Sequence, residues 1–598
     1  MMQLSDYVMD FIAHQGVKHV FMVSGGGGMF LIDSLGKRND LEYICNHHEQ
    51  ASAMSAEGYQ RVTGNLGVAL VTTGPAATNA ITGLLCSWND SIPLLILSGQ
   101  ANSNFLIGDT GLRQRGTHEV DIVKLIKPVS KYAVTITDQK TIKYHLEKAV
   151  YLAHSGRPGP VWLDIPLNIQ SAMIDENNLE SFDPEKENYK TPKIDENQIN
   201  QTAELLRQAK RPIIIAGQGI RLGRAENEFL NFIEKYQIPV VTTKNGADLI
   251  WDSHPLLAGK IGTYGQRAGN FAVQNSDFVL ALGARLPFTT VGYQTDWFAR
   301  EAKKIIVDID PAQLEYSLIK ADLKILSDCK KFIISLDKIL GGEKMETSAW
   351  IEKCHHWRAE YPAVAEVAKK REDYVDPYYF YKLLSEILDE NDIVVTDQGA
   401  AFYASTVAFE IKKGQRLFTN GGFSPMGYGL PAAIGACFAN GNKRIICVHG
   451  DGGLELNIQE LQTIVHYNLP IKLFVFNNEG YLSIKHTQTA YFNGHFVGSD
   501  PKSGVSVPDY KKIATAYGIA SKQIKNQNDL GKEIASAIAS DGPIIIEVMM
   551  DPMQPFGPRV TTEKKPDGRL VSKPLEDMWP FLDREEFKKE MIIKPIEE

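Results

Sequence analysis

What most constrains this chain is a pattern repeated in three stretches: short apolar runs separated by helix-like segments. The runs fall at 19–23, 67–71, 92–97 and 159–164, then at 212–216, 239–242, 278–282 and 304–308, then at 392–396, 444–448, 471–476 and 543–548. Runs this short and this rich in Val, Ile and Leu suit strands covered on both faces. Strands that alternate with helices build parallel sheets, because each parallel crossover needs a helix to carry the chain back. The expected fold is α/β, three consecutive doubly wound parallel-sheet domains at 1–172, 198–340 and 376–552, followed by a tail at 553–598. Length agrees, since 598 residues exceed what one core holds. A polar stretch at 175–197 reads as a linker, 341–375 as a less regular connection, and the tail as a polar segment running over the surface.

Composition narrows the partners. With 63 Lys+Arg against 72 Asp+Glu the net charge is -9, which argues against binding nucleic acid or an anionic membrane. No stretch approaches the length of a membrane span, and no basic segment followed by an apolar run opens the sequence. Cysteines at 45, 86, 329, 354, 437 and 447 form no C-x-x-C pair, which fits reduced thiols and a cytoplasmic location.

The third stretch carries the sharpest chemical signal. Its run at 444–448 leads into His449-Gly450-Asp451-Gly452-Gly453, a helix-like segment follows at 455–466, and the run at 471–476 leads into Asn477-Asn478-Glu479-Gly480. Carboxyl ends of neighbouring strands face one crevice in such a sheet. Mg²⁺ takes oxygen ligands, few of them from protein and the rest from phosphate and water. A carboxylate, an amide oxygen and a backbone carbonyl meet that demand, and the glycines let backbone N–H groups approach a diphosphate. A pair of purely structural Gly-rich turns is the alternative; a lone Gly-Asp-Gly would not exclude it, whereas the same motif 27 positions before Asn478 does so much better.

With these motifs the sequence resembles the thiamine-diphosphate enzyme family. The resemblance implies Mg²⁺ ligands at Asp451, Asn478 and the Gly480 carbonyl, with Gly452, Gly453, Tyr481 and Leu482 beside the cofactor. Gly399, in Asp397-Gln398-Gly399, matches a family loop at the diphosphate. The segment from Thr419 to Gly435 matches the stretch that cradles the pyrimidine, placing Ser424 and Met426 on the cofactor, with Met426 as a wedge. Further matches are the Gly25-Gly26 turn and Thr73 to Asn79 in the first domain. Thiamine diphosphate is activated by a carboxylic acid that exchanges a proton with its ring system, which is general acid–base work. The family takes that acid from a strand-then-His-Glu-Gln segment, here His48-Glu49-Gln50, so Glu49 is the implied activating residue; an ordinary exposed Glu at a helix start is the bland reading. Glu49 and Asp451 fall in different domains, which in this family meet across a subunit interface, so a homodimer or homotetramer is implied. The three domains then correspond to a pyrimidine-binding, a central FAD- or nucleotide-type and a diphosphate-binding domain.

The resemblance is greatest to the acetolactate synthase catalytic subunit, a carboligase that decarboxylates a 2-keto acid such as pyruvate and joins the two-carbon remainder to a second carbonyl acceptor. Departures stand at the acceptor side. Thr117-His118-Glu119 replaces a family Phe-Gln-Glu, and Ile484 and Gln488 stand where the family has Met and Trp. Polar groups on an apolar wall must be paired, which points to a hydroxyl-rich or charged acceptor and to His118, Lys485, His486 and Gln488 as candidate residues. The segment from Lys565 to Trp579 resembles relatives in polysaccharide-sugar pathways, which makes acyl transfer from pyruvate to a keto-sugar nucleotide the first alternative. The central domain resembles the family's FAD site at Gly217-Gln218-Gly219, Gly283-Ala284-Arg285 and Asp308-Ile309-Asp310, but Leu286-Pro287-Phe288 and Lys260-Ile261 depart from it. FAD and a purely structural role both stand for that domain. A flavin-linked keto-acid oxidase is the second alternative, and a non-catalytic scaffold the third.

Overall fold

The computed structural model describes residues 1–187, 189, 194–564 and 569–596. Three six-stranded sheets, parallel throughout, account for the three repeated stretches. The first has the order Glu42–Cys45, His19–Met22, Gly67–Val71, Leu94–Gln100, Val161–Pro166, Tyr132–Thr135. The second runs Leu257–Lys260, Val240–Thr242, Pro212–Ala216, Phe278–Leu282, Lys303–Asp308, Leu323–Leu326. The third runs Arg416–Phe418, Ile393–Thr396, Ile445–Gly450, Ile471–Asn477, Ile544–Met549, Ala520–Ile524. Numbered along the chain, the first and third sheets share the order 2-1-3-4-6-5, while the central one is 3-2-1-4-5-6. The expected doubly wound architecture is the observed one.

Alternating strand residues feed cores on opposite faces, as pleating requires. Val68 and Leu70 join one core and Ala69 and Val71 another. Ile213 and Ile215 likewise part from Ile214 and Ala216. One core is common to the first and third sheets and takes in residues as far apart as Phe21 and Ile545. Four helices carry the later argument: α1 (Glu49–Thr63), α2 (Ala400–Ala408), α3 (Gly429–Ala439) and α4 (Leu482–Phe492). Helices α1 and α3 meet at backbone distance inside the shared core. A Cβ on Gly58 would lie 2.3 Å from the Ala432 carbonyl oxygen, and one on Gly435 1.8 Å from that of Ser55. Only glycine permits this approach. Buried polar groups reinforce the joint: Arg61 bonds Glu57 at 2.8 Å and Asp90 at 2.6 Å, and Asn420 reaches Glu57 at 3.1 Å.

Three local expectations change. The segment 341–375 holds a helix at Ser348–Glu360, which buries Trp350, Cys354 and Trp357 in the central core. Their spacing is helical, and each large side chain so buried contributes about 1.5–3 kcal/mol. The stretch at 455–466 is not one helix. The chain turns helical at Asp451–Leu454 and again at Ile458–Glu460 and Leu461–His466. The tail does more than run over the surface: Val560, Leu575, Met578, Phe587, Met591 and Ile593 enter the central core. Its buried Glu576 accepts from Gln274 at 2.6 Å and Arg300 at 2.8 Å. Of the tail motif, Lys565–Gly568 lies outside the described residues. Among the described residues, no helix is long and apolar enough to cross a membrane.

Candidate functional site

In the third sheet the chain leaves strand Ile393–Thr396 on one side and returns to Ile445–Gly450 on the other. Loops after these two strands therefore diverge and leave a crevice at the switch point. Asp397, Gly399 and the segment 451–453 stand at this crevice, and the next strand adds Asn478 and Gly480. Asp451 is 2% exposed and gathers backbone N–H donors: Gly452 on Oδ1 at 2.7 Å, Asn478 and Gly480 on Oδ2 at 3.0 Å each. Burial pushes its carboxyl up to about 6 against the pull of those donors. The nearby Lys485 is buried, and its Nζ is spent on the Asn478 carbonyl at 2.8 Å. Asp451 thus makes no direct ion pair, with Lys485 acting on it only through space, which leaves its oxygens open to a cation.

The other donors converge on the same place. The Asn478 amide end lies 2.6 Å from the Gly480 carbonyl oxygen, so a half-turn of that amide presents two oxygens side by side. Gly480 has φ +114°, and a Cβ there would lie 2.5 Å from the Ser499 carbonyl oxygen. Among the described residues no three His, Cys, Asp or Glu side chains are arranged to hold a metal. One carboxylate, one amide and one carbonyl is instead a set that diphosphate and water must complete, as Mg²⁺ prefers. Gly452 faces the Tyr481 ring, which a Cβ would meet at 2.4 Å, and a Cβ on Gly453 would strike Asp397 Oδ2 at 2.1 Å. Leu482 is buried beside them.

A second layer, not anticipated from sequence, fixes the cradle. Asp397, 1% exposed, accepts from Gly429 N–H at 3.1 Å and lies 3.3 Å from His449 Nδ1. Asn457 donates to the Gly427 carbonyl at 2.7 Å. Just before these ties the chain holds Ser424 at φ +58° and leaves Met426 half-buried. Gly399 caps α2 with φ +72°. Tyr510 donates to the Asp451 carbonyl at 2.9 Å. The sequence placed Asp397 in a loop at the diphosphate and His449 just before the Gly-Asp-Gly motif, but gave neither a partner.

The first sheet has the same switch point, between His19–Met22 and Gly67–Val71. It brings Gly25 and Gly27 against Thr72 and Thr73: a Cβ on Gly25 would lie 2.3 Å from Thr72 Cγ2 and one on Gly27 1.8 Å from Thr73 Oγ1, while Gly26 faces open space. Thr73 Oγ1 donates to the Gly99 carbonyl at 3.1 Å. Glu49 opens α1 after an N-cap at His48, and its one hydrogen bond among the described residues is from Asn79 Nδ2 at 2.9 Å. Glu49 and Asn79 thus come together on an accessible surface, with no bond to the third sheet's crevice within the chain. His118 is exposed at φ +59°, and its carbonyl lies 1.9 Å from where a Gly74 Cβ would stand. The neighbouring Glu119 is buried and accepts from Ile107 N–H at 2.8 Å and Arg115 N–H at 3.1 Å, so it shapes that loop.

The acceptor-side candidates are dispersed. Gln488 is engaged on both ends: Nε2 donates to the Val497 carbonyl at 2.9 Å, and Oε1 accepts from Ser499 Oγ at 2.7 Å. It pins the 497–499 loop to α4. His486 Nε2 lies 2.8 Å from the Gln554 carbonyl. Lys485 supports Asn478 from beneath. In the central domain the switch point opens a cavity of about 250 Å³, lined by Gly219, Lys244, Gly283, Arg285, Asp308 and Asp328 among others. Lys260 is not part of it. It is buried, with Nζ 2.6 Å from the Phe409 carbonyl and 3.2 Å from Asp252.

Known families match the chain along most of its length. Residues 2–125 match the model for the thiamine pyrophosphate enzyme N-terminal TPP binding domain, 199–336 the central domain, and 397–548 the C-terminal TPP binding domain. The chain is similar to the probable acetolactate synthase large subunit of Methanocaldococcus jannaschii, at 32% identity over 94% of this chain and 95% of that one. It is 32% identical to the acetolactate synthase large subunit of Cyanidium caldarium over 91% of this chain and 92% of the relative. The corresponding protein of Lactococcus lactis is 32% identical over 92% and 94%.

Proposed function

Because the chain belongs to the thiamine pyrophosphate enzyme family, among relatives of the acetolactate synthase large subunit, we propose that it is a carboligase that decarboxylates a 2-keto acid, with pyruvate as donor. In the overall reaction CO₂ leaves the donor, its remaining two carbons join the acceptor's carbonyl carbon, and the acceptor oxygen takes up a proton. Bound thiamine diphosphate would supply the electron sink for loss of CO₂. The observation that carries the reading is the buried Asp451, making no direct ion pair, set against Asn478 and Gly480 at the switch point.

The chain's own residues divide the work. Asp451, Asn478 and the Gly480 carbonyl would hold Mg²⁺, and Gly452 and Gly453 leave room for phosphate oxygens. Ser424, Met426, Tyr481 and Leu482 would shape the bed beneath the cofactor, while the Asp397–His449 layer keeps that bed rigid. Glu49 would exchange a proton with the cofactor's ring system, with Asn79 holding its carboxylate. Since Glu49 makes no bond to the crevice of its own chain, we assign it to the crevice of a second copy, in a homodimer or a pair of such dimers. Gly25, Gly26 and Thr73 would then face the same cofactor.

A sugar-type acceptor is the second reading, from the likeness of the segment Lys565 to Trp579 to relatives in polysaccharide-sugar pathways. The central cavity also fits a nucleotide phosphate. Gly219 and Gly283 approach so closely that a Cβ on either would lie 2.6 Å from the other's Cα, and Arg157, Lys244 and Arg285 add positive charge. FAD is one such nucleotide; a flavin-linked oxidase would be yellow as purified and bleach on adding pyruvate. The deciding experiment incubates the protein with thiamine diphosphate, Mg²⁺ and pyruvate, alone and with nucleotide-linked keto sugars, and identifies products by mass. Acetolactate from pyruvate alone supports the synthase reading, a two-carbon gain on the sugar supports the second, and no loss of pyruvate sinks both.

A further inference from the structure

The turn after strand Ile471–Asn477 holds two of the three residues assigned to Mg²⁺. Two successive residues in it have positive φ, Glu479 at +56° and Gly480 at +114°. The left-handed region disfavours a side chain such as that of Glu479, so the surroundings must hold it there. Asn477 does this: its Oδ1 accepts from Glu479 N–H at 3.0 Å, an amide closing a turn over two residues. With Glu479 so turned, Gly480 N–H reaches Asp451 Oδ2 at 3.0 Å, and the Gly480 carbonyl lies 2.6 Å from the Asn478 amide.

An asparagine can close such a turn only with its oxygen end, and a half-turn of the amide exchanges the two ends. Glu547 removes the choice. A carboxylate only accepts, so it selects nitrogen: Oε1 takes Asn477 Nδ2 at 2.7 Å, and Oε2 takes Gln523 Nε2 of the edge strand at 2.8 Å. Asn477 Oδ1 is thereby left facing Glu479. The reach follows from strand register. Val475 lies opposite Glu547 and Asn477 opposite Met549, so Asn477 and Glu547 are diagonal neighbours on one face. Both are buried. The first sheet repeats the device away from any metal-type turn. Ser98 lies opposite Asp164; Gln100, two residues on, donates to Asp164 Oδ2 at 3.1 Å, and its Oε1 accepts from Ala101 N–H at 2.9 Å. In both sheets a buried acid decides which end of a strand-terminal amide meets the backbone beyond it.

We propose that Glu547 is a positioning residue for the metal-binding turn: through Asn477 it holds Glu479 left-handed and so sets Asn478 and the Gly480 carbonyl where Mg²⁺ would meet them. Glu547 itself touches neither metal nor cofactor. The inference rests on the carboligase reading, with Asp451, Asn478 and Gly480 as ligands, and adds a residue outside that set. It has a consequence that a simple sheet clamp lacks. Glu547→Gln sets amide against amide, and the end of Asn477 that faces Glu479 is no longer dictated. Asn477→Asp sets carboxylate against carboxylate. Made together, the two changes let the groups trade places: the amide at 547 donates to the carboxylate at 477 and accepts from Gln523, while the second carboxylate oxygen accepts from Glu479 N–H.

The test is a Mg²⁺ titration at fixed thiamine diphosphate, followed by calorimetry on the full-length protein, beside a thermal melt without ligands. Glu547→Gln and Asn477→Asp should each raise the half-saturating Mg²⁺ concentration about 10–100-fold. The double variant should return it to within about threefold of wild type, a coupling that independent sites do not show. Asp164→Asn, the matching change in the first sheet, should leave Mg²⁺ affinity as it is in wild type. Single variants that melt lower but keep wild-type Mg²⁺ affinity overturn the proposal, as does equal weakening by Asp164→Asn. A double variant that binds no better than the singles, or does not fold, overturns it too. If neither single variant folds, wild-type affinity in the double variant supports the proposal by itself. A wild type without Mg²⁺-dependent binding of thiamine diphosphate overturns both the proposal and the reading beneath it. Release of CO₂ from pyruvate is measured alongside: wild type that binds both ligands and releases none counts against the carboligase reading, while the titration still decides the role of Glu547.

Discussion

The first and third sheets are built to one plan and equipped for different tasks. Both have the strand order 2-1-3-4-6-5 and open a crevice between their first and third strands. They even share a buried acid at the fourth residue of the same strand. Asp164 accepts from Ser98 at 2.6 Å, Thr135 at 2.9 Å and Gln100 at 3.1 Å. Glu547 accepts from Asn477 at 2.7 Å and Gln523 at 2.8 Å. In each case neutral side chains on the two flanking strands are stitched together through one carboxylate. The loops differ. The third sheet's crevice holds a buried carboxylate among glycines, and the first sheet's holds glycines and threonines, with its acid, Glu49, displaced to the head of α1. The shared plan supplies a crevice and the loops decide what enters it. Here the two halves are complementary, one assigned to the charged end of the cofactor and one to the proton it must exchange.

If that division is right, variants in the two regions fail in different ways. Glu49→Gln should lower kcat by roughly 10²–10⁴-fold, the range for general acid–base groups, while calorimetry shows cofactor binding retained. Loss of binding instead would put Glu49 in the wrong half. Asp451→Asn should weaken Mg²⁺-dependent binding of thiamine diphosphate by about 100-fold or more in the same titration. Unchanged affinity would remove the metal site from the third sheet.

The joint between the two sheets is next in size. Gly435→Ala places a methyl on the Ser55 carbonyl and should cost about 1–3 kcal/mol, seen as a lower melting temperature. An unchanged melt would mean that α1 and α3 separate at little cost.

The smallest effect sharpens the comparison of the two acids. Burial raises the Asp164 carboxyl from 3.8 to about 7. A raised folded-state value means that stability is fully present below the unfolded value and is lost as pH rises through about 7. Wild type should lose denaturation midpoint between pH 5 and pH 8, and Asp164→Asn, which cannot ionise, should lose less. Equal slopes would show that Asp164 is already ionised at pH 5.

Much of this was legible in the sequence, and what was missed has a common cause. The apolar runs located the four inner strands of every sheet. The strands that pattern alone passed over are the edges, such as Tyr132–Thr135, Leu323–Leu326 and Ala520–Ile524. An edge strand is partly solvated, so Ala520-Ser-Lys-Gln-Ile524 carries no continuous apolar run. Glu42–Cys45 was reached only because the family motif begins there. The metal-type donors were readable since they sit directly after strands and close together in sequence. The pairing of Asp397 with His449 was not, because it depends on two strands being neighbours.

The claim that one cofactor site is shared between two copies can be tested by mixing. Chains carrying Glu49→Gln and chains carrying Asp451→Asn, each nearly inactive alone, are unfolded, combined in equal amounts and refolded together, and CO₂ release from pyruvate is measured. If Glu49 of one copy serves Asp451 of another, each hybrid dimer regains one intact site, and random pairing returns about a quarter of wild-type activity. A mixture as inactive as its two parents would contradict the shared site and return Glu49 to the crevice of its own chain.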